Sequence, residues 1–272
     1  MRIDLTGKTA LIAGSTMGIG FAIAEGLRRA GATVVLNGRD EGRLERALGR
    51  LGGDPPALGV AADVGTAAGC AEIARRVPRV DVLVNAAAAF GPQPFLEVED
   101  WKWERLFATN VLSGVRLARH YLPQMTERDW GRIIFVSSVD AVQIPPQMVD
   151  YGVTKLALLG LSRGIAESVR GTGVTSNSLL VGPTLSDGLR GNAGFGEYRG
   201  GRVTEPAPAE ERSLDDAVGA LLTGRQYGSS LVGRIAESEE VANMAVYLAS
   251  EQATMTTGAA LRVDGGVLRG IL

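Results

Sequence analysis

A short apolar run at residues 8–13, a glycine turn and a helical stretch at 21–30 stand near the head of this chain, and no other feature restricts its fold as tightly. The run is brief and apolar on both faces, the pattern of a strand buried in a parallel sheet. The turn reads Gly14-Ser15-Thr16-Met17-Gly18-Ile19-Gly20. Strand, turn and helix in that order begin a βαβ unit. Further strand-like runs follow at 32–36, 58–62, 81–84, 131–136, 173–180 and 257–263. Helical stretches separate them at 41–51, 66–77, 101–125, around Tyr151, and at 238–249, where Ser238 reads as the N-cap. This alternation predicts a Rossmann-type α/β fold, a doubly wound parallel sheet of about seven strands with helices on both faces. Neither a dividing linker nor an internal repeat is visible, so one domain is expected over residues 1–272.

Bulk properties narrow the function. The net charge is −2 and 21% of residues are charged, which lacks the clustered basic excess of a nucleic-acid binder. The chain has one cysteine, Cys70, and one histidine, His120. An internal disulfide is impossible, and a zinc site or a histidine-based triad is poorly supported, so no metal is expected. The N-terminus reads as neither a signal peptide nor a membrane anchor, and a cytoplasmic protein without membrane attachment is expected.

The glycine turn carries chemistry as well as shape. Glycines let the backbone approach a pyrophosphate, and the helix start offers unpaired N–H groups and a positive dipole end. The spacing is G-x-x-x-G-x-G, not G-x-G-x-x-G, and an ordinary turn would read similarly. The second run ends in Asn37-Gly38-Arg39-Asp40. An acidic residue there holds the 2′-hydroxyl of NAD, whereas an arginine suits the 2′-phosphate of NADP. Arg39 therefore favours NADP(H) over NAD(H); a solvated surface charge is the plainer alternative, and Asp40 beside it counts against. Asp63-Val64 closes the third run, where a carboxylate either faces a ligand crevice or caps the next helix. Asn85-Ala86-Ala87-Ala88 closes the fourth with small side chains. Asn110 lies inside a helical stretch, an unfavourable place for asparagine unless it is solvent-exposed or has a role.

The chain's chemistry centres on residues 137–155. The run at 131–136 delivers Ser137 and Ser138 to a loop, two prolines follow, and Tyr151 and Lys155 then open a helix. Four residues apart, they share a helical face. A phenol titrates near ~10 by itself, and a neighbouring ammonium is expected to lower that value, making Tyr151 a usable acid or base.

Beyond Val181-Gly182-Pro183-Thr184-Leu185-Ser186 the periodic pattern dissolves into a glycine-rich stretch at 187–212 that includes Phe195 and Tyr198. Ser213-x-x-Asp216 reads as a capping box, and Leu214, Ala217, Val218, Leu221 and Leu222 repeat at helical spacing. A mobile lid containing an amphipathic helix is expected at about 185–232.

Taken in order, Gly14-x-x-x-Gly18-x-Gly20, Asp63-Val64, Asn110, Ser138, Tyr151-x-x-x-Lys155 and Val263-Asp264-Gly265-Gly266 resemble the single-domain form of the short-chain dehydrogenase/reductase family, over nearly the whole chain. The resemblance implies a hydride transfer between a nicotinamide and a carbonyl or secondary alcohol. Tyr151 would be general acid or base, and Lys155 would lower its pKa and bind the nicotinamide ribose. Ser138 would bond the reacting oxygen, and Asn110 would hold a water linking Lys155 to solvent. Gly14, Ser15, Thr16, Met17, Gly18, Ile19 and Gly20 would cradle the dinucleotide. Asp63, Val64, Asn85 and Ala86 would follow its adenosine half, and Gly182, Thr184 and Ser186 its carboxamide end.

Departures are the family's Asn-Asn-Ala-Gly written here as Asn85-Ala86-Ala87-Ala88, its Pro-Gly as Val181-Gly182, and Met17 where NADP-preferring members often carry a basic residue. Phe90, Ser138, Asp140, Val142, Gln143, Met148, Tyr151 and Leu185 would meet the substrate, a small molecule of the 3-oxoacyl or other ketone class. Two alternatives stay open: an NAD-dependent sugar or polyol dehydrogenase, and a non-catalytic dinucleotide-binding regulator. The family commonly assembles as homotetramers, with a dimer as the smaller option, and the leucines at 156, 158, 159 and 161 are compatible with such an interface.

Overall fold

A computed structural model of the chain describes residues 2–53, 57–186, 198–199, 202–203 and 230–271. Seven strands form one sheet: β1 (Thr9–Ala13), β2 (Thr33–Gly38), β3 (Leu58–Ala61), β4 (Val82–Asn85), β5 (Gly131–Ser138), β6 (Val174–Val181) and β7 (Ala260–Val263). Their spatial order is β7-β6-β5-β4-β1-β2-β3, and every pairing is parallel. The Rossmann-like fold expected from the alternating pattern is the one observed.

Period-2 geometry explains why the central strands bury residues on both faces. In β1, Ala10 and Ile12 join one core cluster while Leu11 and Ala13 join another. The first cluster packs under α1 (Gly18–Arg29), α2 (Glu41–Leu51) and α7 (Ser238–Ala249). The second packs under α3 (Ala67–Arg76), α5 (Ser113–Glu127) and α6 (Val149–Ser168). Strands buried on both faces cannot alternate apolar with polar residues, hence the short continuous runs.

Local chemistry sets the helix ends. Asp40 caps α2 by accepting the Arg43 N–H at 2.7 Å, and Thr66 caps α3 by accepting the Gly69 N–H at 2.9 Å. The last helix corrects an expectation: its cap is Glu237, not Ser238. Glu237 and Glu240 form a reciprocal capping box, which satisfies two orphan N–H donors where a serine would satisfy one.

The stretch at 101–125 is likewise not one helix. α4 (Asp100–Leu106) runs into a π-helical turn, Phe107–Leu112, before α5 begins. Such turns insert a residue into the helical ladder and re-aim the side chains that follow. The expected lid is described only at its ends and in a short antiparallel pair, Tyr198–Arg199 with Arg202–Val203. The capping box at Ser213 and Asp216, Phe195 and the helix at 214–222 lie outside the described residues.

Candidate active site

From β1 the chain steps outward through β2 and β3, then returns to place β4 on the other side of β1. Such a reversal opens a crevice at the carboxyl ends of the strands. Gly14 sits there with φ +74°, and a Cβ on it would stand 2.6 Å from the Ala87 Cα. The turn after β1 and the loop after β4 thus touch backbone to backbone, which accounts for the small residues at 86–88. Ser15 and Asn37 brace this floor. The Ser15 hydroxyl donates to the Ile12 carbonyl at 2.6 Å and accepts the Asn37 N–H at 3.0 Å. The Asn37 amide donates to the carbonyls of Val60 and Ala62.

α1 starts at Gly18, inside the turn and earlier than its apolar spacing predicts. Met17, at its N-cap, makes no side-chain cap, and no acidic residue stands in the first turn. A positive dipole end reachable over glycines fits the pyrophosphate of a dinucleotide.

At the end of β2, Arg39 is exposed and no described residue pairs with it. Asp40, which counted against the 2′-phosphate reading, is engaged as the α2 cap. Asp63 is exposed and accepts the Gly65 N–H at 2.9 Å, while the Val64 side chain is buried in the core. Asn85 is also buried and accepts a 3.3 Å bond from Ser113 on α5, with its Nδ2 lacking a partner. Val64 and Asn85 can therefore line the crevice through backbone alone. Thr184 donates its hydroxyl to the Gly182 carbonyl at 2.9 Å, and Gly182 abuts Asp264 after β7.

β5 ends in Ser138, whose Oγ accepts the Asp140 N–H at 3.1 Å. Ser137 donates to the Lys155 carbonyl at 2.8 Å, tying the strand to the helix. The Ser138 hydroxyl stands close enough to the Tyr151 phenol to pull its pKa down. Lys155, 2% exposed, donates to the Val136 carbonyl at 2.8 Å, which leaves two ammonium protons without a partner among the described residues. Its Nζ lies 5.4 Å from the centroid of the Tyr151 ring.

The electrostatics differ from the expectation of a lowered phenol pKa. Burial holds Tyr151 well above the usual tyrosine range, and the nearby Asp140 carboxylate raises it further; only the Ser138 hydroxyl pulls it down. The same burial pushes Lys155 down to about 8, with Asp140 opposing. Desolvation disfavours both charged forms and outweighs the ammonium's effect on the phenol.

Asn110 is fully buried, so exposure does not explain it. Its Oδ1 accepts the Ala89 N–H at 2.6 Å, and its Nδ2 donates to the Ala89 carbonyl and to Thr154 Oγ1, both at 2.9 Å. The amide straps the loop after β4 to α6, and the π-helical turn aims it there. His120 lies exposed on α5, edge-on to Tyr121.

Of the expected substrate residues, Phe90 lies with its ring 5.7 Å from that of Tyr151. Val142 and Gln143 are exposed, Asp140 and Met148 are buried, and Leu185 and Ser186 are half-buried. The sequence reading passed over Lys102 on α4, and it gave no role to Asp150 and Thr154, which flank Tyr151 on α6; all three make hydrogen bonds or ion pairs at the site. The available signal was their position: Asp150 and Thr154 are one turn apart and lie beside the tyrosine.

Comparison with known proteins converges on one family. The profile described as short chain dehydrogenase matches residues 8–193, and that described as Enoyl-(Acyl carrier protein) reductase matches residues 221–268. An uncharacterised oxidoreductase of Bacillus subtilis, YvaG, is 36% identical over the full length of both chains. A D-beta-hydroxybutyrate dehydrogenase of Cupriavidus necator is 31% identical, covering 96% of this chain and 98% of that protein. The crystal structure of L-sorbose reductase from Gluconobacter frateurii, complexed with NADPH and L-sorbose, is 33% identical, covers 100% of both chains and superposes with a TM-score of 0.87.

Proposed function

The chain belongs to the short-chain dehydrogenase family, a group of NAD(P)-binding oxidoreductases acting on alcohol and ketone substrates, and from that premise we propose that it is an NADP(H)-dependent reductase of a ketone, with Tyr151 as the acid. The observation that carries this reading is the placement of Tyr151 beside Ser138 and Lys155 at the carboxyl edge of the sheet, where burial holds the phenol's pKa up. A protonated phenol is the form that reduction requires. When bound, the nicotinamide supplies the hydride. Ser138 and Tyr151 then direct two hydroxyl donors at one substrate oxygen, stabilising developing alkoxide charge, and Tyr151 gives up its proton to it. Lys155 turns its two remaining protons toward the ribose hydroxyls and stands as a cation near the phenol. Asn110 holds the loop after β4 against α6, which keeps the phenol in register with the glycine floor.

A panel of ketones, followed by the absorbance of the reduced nicotinamide, tests the reading. Turnover on at least one member, absent in Tyr151→Phe, is expected; turnover by that variant at the wild-type rate would overturn it. A sugar or polyol carbonyl is the second reading, and one finding favours it: the full-length likeness to a reductase whose structure holds L-sorbose. The panel should therefore include ketoses beside 3-oxo esters.

Three supports bear on NADP(H). Arg39 is exposed and unpaired among the described residues, Asp40 is committed to capping α2, and the sorbose reductase relative was solved with NADPH. Arg39→Asp should raise the Kd for NADPH by roughly 10- to 100-fold, the loss of a charge-assisted bidentate contact. The Kd for NADH should change less than about threefold, since NADH offers that arginine no phosphate. Equal effects on both would show the arginine to be a surface charge.

We take the chain as one domain with a lid at 185–232, working in the cytoplasm; no helix among the described residues is long and apolar enough to cross a membrane. Exposed Leu112 and Leu156, on the helices beside Asn110 and Tyr151, support assembly into a homotetramer or dimer, and a monomer in light scattering would refute it.

A further inference from the structure

Lys102 donates to the Gly91 carbonyl at 2.7 Å and to Gln93 Oε1 at 3.1 Å, and its ammonium forms an ion pair with Asp150 Oδ2 at 3.0 Å, an oxygen that takes no hydrogen bond among the described residues. Asp150 is 1% exposed and immediately precedes Tyr151. Its Oδ1 accepts the Tyr151 N–H at 2.8 Å, satisfying a first-turn donor that the helix itself cannot. A carboxylate buried this deeply needs a cation. The cation comes from α4, and it grips the loop after β4 through its two hydrogen bonds.

That loop, residues 89–93, is gripped at its start as well. Asn110 bonds both the N–H and the carbonyl of Ala89 and reaches across to Thr154. Asp150 and Thr154 are four residues apart and bracket Tyr151 on one helical face. Phe90 lies between the two grips, with its ring against that of Tyr151. A backbone bond from Gln93 to the Gln147 carbonyl, 2.9 Å, closes the same gap.

We propose that Lys102 and Asp150 are positioning residues, a charge pair that clamps loop 89–93 to the start of α6 so that Phe90 stays over the Tyr151 phenol and fixes the width of the substrate opening. The inference rests on Tyr151 being the acid of the proposed reaction.

Hydrogen exchange on the full-length protein gives a readout that needs no substrate. Lys102→Met and Asp150→Asn should each raise exchange at least tenfold in peptides covering 86–98 and 147–156 together, while peptides from β1 and α1 stay unchanged. With a ketone that turns over, each should lower kcat/KM by roughly 10- to 100-fold, chiefly in kcat. Lys102→Met and Phe90→Ala should combine to much less than the product of their separate effects, because both act through one ring. Lys102→Arg, which keeps the cation, should restore most of the protection.

If either single variant fails to fold, the neutral pair Lys102→Gln with Asp150→Asn removes the buried charge and should fold with exchange intermediate between wild type and open. Unchanged exchange in 86–98, or full multiplication of the Lys102→Met and Phe90→Ala effects, would overturn the proposal. An active Tyr151→Phe would instead sink the acid assignment and leave the exchange result standing.

Discussion

Tyr151→Phe is expected to lower kcat/KM for ketone reduction by about a thousandfold, the scale of a positioned proton donor. That loss corresponds to about 4 kcal/mol of transition-state stabilisation. It has two parts that reinforce each other. The proton leaves, and so does one of the two hydroxyl donors aimed at the developing alkoxide. Binding of NADPH should change by less than about tenfold, because the phenylalanine keeps the ring that packs on Phe90 and loses one hydroxyl expected to face the cofactor. The pH profile adds an independent check. Burial and Asp140 keep the phenol's pKa above its ordinary value, so the acid form persists throughout the neutral range. Reduction should then show no loss from tyrosine ionisation between pH 6 and 8. Steady-state rates of the two proteins with NADPH and one competent ketone decide the matter, and a loss under about tenfold would remove Tyr151 from the acid role.

The sheet was legible in the sequence because its central strands are buried on both faces. Residues such as Leu11 and Ile12 serve opposite cores, so a plain apolar run was the signal, and local composition carries it. The glycine turn was legible for a related reason: Gly14 needs a positive φ and a close backbone neighbour, and few residues tolerate either. What stayed hidden depends on partners distant in sequence or on competition between forces. Asn110 looked misplaced in a helix until the π-helical turn showed it reaching Ala89 and Thr154. Lys102 carried no signal until Asp150 was seen buried against it. Asp40 counted against a phosphate at Arg39, yet it is a helix cap. Helical spacing correctly put Tyr151 and Lys155 side by side, yet spacing carries no information about burial. The outcome of desolvation against Coulomb attraction was therefore anticipated with the wrong sign.

Lys155 is where that balance has its largest measurable consequence after Tyr151. Lys155→Met should lower kcat/KM by at least a hundredfold, because it removes both the donors available to the ribose and the cation near the phenol. The pH dependence is specific. Burial pushes the ammonium down to about 8, so its charge is present below that value and lost above it. Wild-type kcat/KM should fall with unit slope above about pH 8, and the Met variant should show no such limb. Stability should move the other way. An ordinary lysine titrates near ~10.4, so between about pH 8 and pH 10.4 the unfolded chain binds a proton that the folded chain does not. Stability therefore rises with pH across that window, and below it the fold carries the full cost of the buried charge, on the order of 3 kcal/mol. Replacing the lysine removes that cost but leaves the Val136 carbonyl without its donor, a loss of about 1–3 kcal/mol. The two terms nearly cancel near neutrality, so the variant should melt within a few degrees of wild type at pH 7. Wild type should then gain on it as the pH climbs from 8 to 10. Thermal melts of both proteins across that range, beside their rate profiles, test the argument. A parallel pair of stability curves would show that Lys155 keeps its ordinary pKa and that its ammonium is not held against desolvation at the site.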